Sequence, residues 1–121
     1  MSGDIHNLGK SGEEIAADHY IKLKYNILEK NWHFGHLEVD IIAENADTVV
    51  FCEVKTRSSN TFGEPETFVT MQKQKNIIKA ANNYILRKGI NKDVRFDVIS
   101  IVKNGDNCAL NHIPDAFTPK W

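Results

Sequence analysis

The alternation of apolar and polar residues predicts a helix near the start of the chain. Ser11 and Glu14 have the S-x-x-E spacing of a capping box, in which each side chain bonds the backbone N–H of the other residue. The apolar positions that follow repeat at helical spacing as far as Leu23. The capping box accounts for Glu14, whereas Glu13 falls on the same side as the apolar residues, so we expect Glu13 to face inward.

A second helix is predicted from about Thr70 to Lys88, and it ends at Gly89, in the C-terminal position that favours glycine. Its apolar stripe is expected to pass through Gln74, a polar residue that would then need a hydrogen-bond partner. The apolar members of this stripe are Met71, Ile78, Ala81 and Ile85.

Outside the helices the pattern shortens to β-rich runs that are bounded by turn residues. We predict strands at residues 25–34, 37–43, 48–56, 94–102 and 109–113. Residues 57–68 have loop composition, and a loop of this length in a small domain is often functional. The order α-β-β-β-α-β-β in 121 residues predicts a single α/β domain over residues 1–121.

Composition restricts the classes of function. The formal net charge is −1, so the chain lacks the bulk positive charge of a protein that coats nucleic acid, and any such contact must be local. No apolar run approaches the roughly 20 residues of a membrane helix, and the first residues lack the pattern of a secretory signal. We therefore expect a cytoplasmic protein without a membrane segment. Cys52 and Cys108 form no C-x-x-C pair and are expected to be buried reduced thiols.

Acidic residues interrupt two of the predicted apolar strands. Asp40 lies in the run 37–42, and Glu53 is followed by Lys55 in the run 49–55. An E-x-K triplet alone is a weak signal, because a chain of this length contains one by chance roughly four times in ten. Its setting is more informative, since neighbouring carboxylates in a half-buried sheet repel one another and need a cation.

A hairpin between these two strands would bring the acidic residues together. With Ala43 opposite Thr48, Asp40 and Glu53 become diagonal neighbours on one face of the sheet, roughly 7 Å apart at their Cα atoms. The same register places Glu38 directly opposite Glu53, on the same face. A slip of one residue would instead put the two strands' carboxylates on opposite faces.

Two carboxylates at this separation can bind one hard divalent ion, and oxygen ligands without thiolate or imidazole favour Mg²⁺ or Mn²⁺. Such an ion activates water and offsets the charge that develops on a phosphodiester. Lys55 is expected to orient that water or to stabilise the phosphate. The alternative is an exposed edge strand in which Asp40 pairs with a lysine, and the residues alone leave this alternative open.

The same residues belong to a longer match with a known family. The segments 9–17, 31–32, 38–42, 51–57, 62–63, 73–74, 80–81 and 95–98 resemble, in order, the YraN-like family of uncharacterised bacterial proteins. That family looks like a branch of the PD-(D/E)XK restriction-endonuclease-like superfamily, similar to archaeal Holliday-junction resolvases and to the tRNA-endonuclease-like fold. The resemblance implies a three-layer α/β domain, with a mixed central sheet flanked by helices, and metal-dependent cleavage of phosphodiester bonds.

The resemblance also implies roles for individual residues. It makes Asp40, Glu53 and Glu13 ligands of Mg²⁺ or Mn²⁺, and it makes Lys55 the catalytic lysine, with all four residues in the active site. Glu38 matches an acidic position of the family, but no role follows for it. The family resemblance does not supply a substrate.

Three further residues are candidates for contact with nucleic acid. Arg57 stands at a strand end, where phosphate contacts are common, although a solvated arginine is an equal alternative. Lys73 could follow a phosphate backbone, but charged helix faces usually serve solubility alone. Gln74 is the stronger candidate, because its inward position needs an explanation.

The expected function is that of a metal-dependent nuclease acting on DNA, with branched or damaged DNA among its substrates. The alternative is a non-catalytic nucleic-acid-binding module that retains the nuclease fold, and a third hypothesis is a protein-interaction subunit. An enzyme that cuts junctions would be expected to act as a two-fold homodimer.

Overall fold

The computed structural model describes residues 4–6, 9–58 and 68–119, which form a mixed sheet with one helix on each face. The elements are β1 (Asp4–His6), α1 (Gly12–Lys22), β2 (Asn26–Phe34), β3 (Leu37–Glu44), β4 (Thr48–Ser58), α2 (Met71–Lys88), β5 (Asp93–Asn104) and β6 (Asn107–Phe117). The sheet order is β1-β6-β5-β4-β3-β2. Strands β4 and β5 are parallel, and the other neighbouring pairs are antiparallel. The predicted mixed α/β class is confirmed.

The element order differs from the predicted one at its start. A strand of 3 residues, β1, precedes α1 and pairs with β6, which runs on to Phe117 instead of ending at 113. Such a short strand has no periodicity that a sequence pattern could reveal. Of the predicted loop 57–68, residues 57 and 58 belong to β4, and residues 59–67 lie outside the described part of the chain.

Helix α1 begins as its capping box predicts. The Ser11 hydroxyl accepts from the Glu14 N–H at 3.2 Å, and the Ser11 N–H donates to a Glu14 carboxylate oxygen at 3.0 Å. These two bonds satisfy backbone donors that the first helical turn would otherwise leave unpaired. The inner side of α1 then packs on the sheet through Ile15, Ala16 and Tyr20, all of which are buried.

Helix α2 has the predicted ends, and its buried face overlaps the predicted one in part. Thr70 caps its first turn, and Gly89 follows its last turn with φ at 62°, a left-handed conformation that glycine adopts without steric cost. The predicted stripe is confirmed at Ala81, which is buried, and at Ile78 and Ile85, which are partly buried against the core, but it is wrong at Met71, which is 57% exposed. The face that packs on the sheet lies one position away around the helix, and its residues are Ile77, Ala80, Ala81 and Tyr84.

The register between β3 and β4 also differs from the predicted one. Ala43 pairs with Val50, not with Thr48. The side chain of Asn45 accepts from the N–H groups of Asp47 and Thr48, at 2.9 Å and 2.8 Å. The backbone N–H of Asn45 donates to the Thr48 carbonyl. The turn therefore keeps the expected four residues but lies one residue later, at 45–48 instead of 44–47, and every pair moves by two positions. A shift of two leaves the face of each side chain unchanged.

The pleat of β3 breaks at Asp40. Val39 and Ile42 pack in the core beneath α2, whereas Ile41 and Ala43 pack in the core beneath α1. Regular alternation would put Val39 and Ile41 on the same side. The break leaves the Asp40 side chain at the boundary between the two core layers.

Among the described residues, neither helix has the length and apolar composition needed to cross a lipid bilayer.

Candidate functional site

Asp40 and Glu53 meet where the β3–β4 ladder ends. The last regular pair is Ile41 with Cys52, and beyond it the Val54 N–H donates to Asp40 Oδ2 at 2.8 Å. The carboxyl groups of Asp40 and Glu53 are in hydrogen-bonding contact with each other. The structure thus brings together the two acidic residues that the sequence singled out, as direct partners and not as the expected diagonal neighbours.

Burial shapes the charge of this pair. Loss of solvent and the neighbouring Asp40 charge raise the pKa of Glu53 to about 7, although Lys73 and Lys55 oppose that rise. Burial also raises the pKa of Asp40, while the Val54 N–H acts in the opposite direction. The Glu53 side chain is only 14% exposed. Because two adjacent carboxylates resist simultaneous ionisation, the pair shares a proton near neutral pH when no cation is bound.

Two lysines lie beside the carboxyl pair. The Lys55 ammonium donates to the main-chain carbonyl of Phe68, which fixes its position next to α2. Lys73, on the first turns of α2, places its ammonium 3.8 Å from Glu53 Oε2. The alternation of β4 puts Lys55 on the same face as Glu53. The site therefore combines two acidic and two basic groups in a partly buried setting.

Glu13 reaches the pair through its charge. It is half-buried in the first turn of α1, and its negative charge, after that of Glu38, contributes to the raised pKa of Asp40. Helix α1 approaches closely here because Gly12 has no Cβ, which would collide with the Thr56 side chain. Among the described residues, however, no group of three or more His, Cys, Asp or Glu side chains is arranged to hold a metal ion.

Glu38 is not part of the carboxyl pair. Leu37 and Val39 pack in the core beneath α2, which leaves Glu38 directed to the other side of the strand, where it lies 3.7 Å from His33. The expectation that Glu38 faces Glu53 is wrong, because the turn lies one residue later than predicted, which shifts the register, and the pleat breaks at Asp40.

The predicted nucleic-acid residues lie on the same side of the sheet as Glu53. Arg57 is half-buried near the end of β4, two positions beyond Lys55. The Gln74 amide donates to the Val69 carbonyl at 3.0 Å, so its polar group has a partner. Sequence reasoning missed the main-chain groups at Val54 and Phe68, which hold Asp40 and Lys55 in place. No residue identity signals such groups, because their positions depend on the register.

A second carboxylate is buried on the opposite side of the sheet, beneath α1. Asp97 is fully buried and accepts from Arg95 at 2.8 and 2.9 Å and from the Asp115 N–H at 3.0 Å. It also contacts the Tyr20 hydroxyl at 2.7 Å and His112 Nε2 at 2.8 Å. Burial alone would raise the pKa of Asp97, but these donors hold it well below its usual range. With these partners Asp97 needs no further ligand, and we interpret the cluster as structural.

Comparisons with known proteins agree over nearly the whole chain. A sequence profile described as "Uncharacterised protein family UPF0102" matches residues 12–101, a range that includes Glu13, Asp40, Glu53 and Lys55. A UPF0102 protein of Flavobacterium johnsoniae is 49% identical over 117 residues, which cover 93% of this chain and 95% of that protein. For Christiangramia forsetii the identity is 46% over 114 residues, with the same coverage. For Bacteroides thetaiotaomicron it is 40% over 115 residues, with coverage of 94% and 95%.

Proposed function

The chain belongs to the UPF0102 family of uncharacterised proteins, and from the geometry of its acidic pair we propose that it is a divalent-metal-dependent nuclease. The observation that carries this proposal is the contact between the partly buried carboxyl groups of Asp40 and Glu53, beside Lys55 and Lys73. Two acids in contact have no benefit for folding, because each raises the cost of ionising the other. A cation between them removes that cost.

The residues present fit Mg²⁺ or Mn²⁺. Both ions prefer oxygen ligands, and Mg²⁺ is commonly held by one or two carboxylates, with water and substrate phosphate completing its shell. Asp40 and Glu53 would hold the ion directly, and Glu13 would add negative charge from α1. A set of only two direct carboxylates is therefore sufficient for a site that must also admit a phosphate.

A bound divalent ion would supply a Lewis acid for the scissile phosphate and a more acidic water. The residues of the chain would orient the metal ligands and contact the phosphate. The Val54 N–H orients the Asp40 carboxylate, and the Phe68 carbonyl holds the Lys55 ammonium on the same face as Glu53. From there Lys55 can donate to a phosphate oxygen as negative charge accumulates. Lys73 forms an ion pair with Glu53, and its ammonium could leave that carboxylate to pair with a substrate phosphate.

A restriction-endonuclease-like fold of the PD-(D/E)XK type is part of the proposal. It is supported by the arrangement of a mixed sheet between two helices, with the acidic pair at the end of the β3–β4 ladder. DNA is the proposed substrate, including branched or damaged DNA. A junction would be cut by two copies related by a two-fold axis.

The test is a cleavage assay with purified protein, Mn²⁺ and a panel of junction, flap, single-strand and duplex DNA. We expect at least one substrate to be nicked, and Asp40→Asn and Glu53→Gln to lower the rate at least about a hundredfold. Lys55→Gln should lower it by a similar factor. Glu38→Gln is the matched control, because the Glu38 charge also raises the pKa of Asp40 but its side chain faces the other side of β3, so the variant should retain activity.

The outcomes separate the candidate functions. Salt-sensitive DNA binding that survives Asp40→Asn, without cleavage by the wild type, would favour the non-catalytic module. Absence of both cleavage and Mn²⁺ binding, measured by calorimetry, would reject the enzyme and leave the protein-interaction subunit.

A further inference from the structure

Helix α2 concentrates positive charge in a chain whose net charge is −1. It contains five basic residues and no acidic one. Arg87 and Lys88 stand in its last turn, where the helix dipole favours cations. Lys73 and Lys75 stand near its first turn, where the dipole disfavours them. The basic residues at the N-terminal end therefore cost stability, and Lys73 already contacts Glu53 of the proposed site.

A cavity of about 540 Å³ lies between α2 and the end of β6. Its walls are largely apolar and include Ile78, Phe117 and Pro119. Lys75 and Lys79 also border it, one helical turn apart, so their Cβ atoms are about 6 Å from each other. Neither lysine forms an ion pair with any residue in the described part of the chain. An apolar cavity with two unpaired ammonium groups at its border suits an anionic ligand that has an apolar face.

Side-chain amides complete the border of the cavity. Gln74 and Asn82 both line it, and the Gln74 amide nitrogen is already bonded to the Val69 carbonyl. Such amides can bond the polar edge of a nucleobase, while the apolar walls contact its faces. A base that is paired and stacked within a duplex offers neither its faces nor its pairing edge. The lining therefore matches an unpaired base.

The cavity lies along α2 beside the proposed metal site. Lys73 contacts Glu53, and Gln74, the next residue, lines the near end of the cavity. From Lys73 to Asn82 the helix rises by about 14 Å. That distance is enough for a few nucleotides of an extended strand.

We propose that α2 and this cavity bind single-stranded DNA next to the phosphate that is cut. One unpaired base enters the cavity, Lys75 and Lys79 contact backbone phosphates, and the strand continues past Lys73 to the carboxyl pair. The inference rests on the proposed nuclease function for the position of the cut, and it narrows the substrate class to DNA with an unpaired segment, such as a flap, a gap or an open junction.

The first measurement compares three labelled DNA probes by fluorescence anisotropy in EDTA, so that cleavage does not interfere. The probes are a 20-nucleotide single strand, a blunt duplex of about the same length, and a single strand of abasic sites. We expect the normal single strand to bind most tightly. The abasic strand should bind about tenfold more weakly, because it keeps the phosphates but lacks the bases.

The second measurement uses paired variants. Lys75→Gln with Lys79→Gln should weaken single-strand binding about tenfold and reduce its salt dependence. Arg87→Gln with Lys88→Gln is the matched control, because it removes the same charge from the same helix outside the cavity, and its affinity should stay within about twofold. Asn82→Trp, at an exposed position, should fill the cavity and abolish the preference for the normal over the abasic strand.

Several results would overturn the inference. Equal affinity for duplex and single strand, or for normal and abasic strands, would show that no unpaired base binds in the cavity. Equal losses of affinity in the two double variants would show that binding depends only on the net charge of the protein and not on the lysines at the cavity. A dimer that Asn82→Trp dissociates would identify a second copy as the occupant. The binding assays contain no metal, so they are independent of the Mn²⁺ cleavage assay. Cleavage in Mn²⁺ without a preference for single strands in EDTA would refute this inference alone. A preference for single strands without cleavage would refute the nuclease function alone.

Discussion

Two sets of carboxylates lie on opposite sides of the central sheet, and they differ in the donors that surround them. Beneath α1, Asp97 receives hydrogen bonds from Arg95, Tyr20 and the Asp115 N–H, and its pKa is held low. On the α2 side, the Asp40–Glu53 pair has one main-chain donor among the described residues, at Val54, and burial raises the pKa of both acids.

The contrast separates a structural acid from a functional one. A buried carboxylate with a full set of donors is stable as an anion and needs nothing further. Two carboxyl groups that bond each other, with few donors, store unfavourable electrostatic energy that a cation can release. Burial alone would not distinguish these cases, whereas the number of donors does.

The largest effect is expected at Asp97. Asp97→Ala leaves the Arg95 guanidinium and the Tyr20 hydroxyl without their buried partner, so we expect unfolding to become easier by about 4 kcal/mol. Urea denaturation at neutral pH measures this loss. A loss below about 1 kcal/mol would show that the cluster does not support the fold.

Substitution of Glu53 is expected to increase, not decrease, the free energy of unfolding when no metal is bound. Its pKa is about 7 in the folded protein and 4.5 ordinarily, so the folded state retains a proton that the unfolded state releases, and stability falls as pH rises through this window. Glu53→Gln should remove that fall and be more stable than wild type by about 2 kcal/mol at pH 8. The two proteins should converge near pH 4.5. A wild-type pH slope that persists in the variant would contradict this account.

A smaller effect is expected at His19, which lies 3.1 Å from His112 at the edge of the Asp97 cluster. Burial, with help from the His112 charge, lowers the pKa of His19 to about 4. The unfolded state therefore takes up a proton at a higher pH than the folded state, and stability falls as pH drops from 6.5 toward 4. His19→Gln should reduce that acid-side loss by about 1 kcal/mol in denaturation curves between pH 7 and 4, allowing for solvent screening. Unchanged curves would exclude this contribution.

The smallest effect provides the baseline. Asp18 pairs with Lys10 at 2.6 Å, but both side chains are nearly half exposed. Asp18→Asn should change stability by less than about 0.5 kcal/mol, because water and salt screen such a pair. Thermal unfolding at low and high salt measures it. A larger change would mean that carboxylates here matter irrespective of burial.

Local sequence signals predicted the parts of the fold that short segments determine. Ser11 and Glu14 cap α1, and Gly89 ends α2, because each depends on neighbours within a few residues. The E-x-K triplet likewise puts Glu53 and Lys55 on one face by alternation alone.

Long-range features could not be read in this way. The register that joins Asp40 to Glu53 depends on where the turn held by the Asn45 side chain begins, and the break at Asp40 depends on packing from both sides of the sheet. The partners of Asp97 include Tyr20, which is 77 positions away in the sequence. No periodicity within a segment records such a contact.

A manganese soak tests the metal site most directly. Crystals of the wild type and of Glu53→Gln would be soaked in Mn²⁺, and anomalous difference maps recorded from both. We predict one strong peak between the Asp40 and Glu53 carboxylates in the wild type, and its loss or marked weakening in the variant. A wild-type map with no peak between these two carboxylates, at an Mn²⁺ concentration that gives peaks elsewhere on the protein, would contradict the proposed metal site.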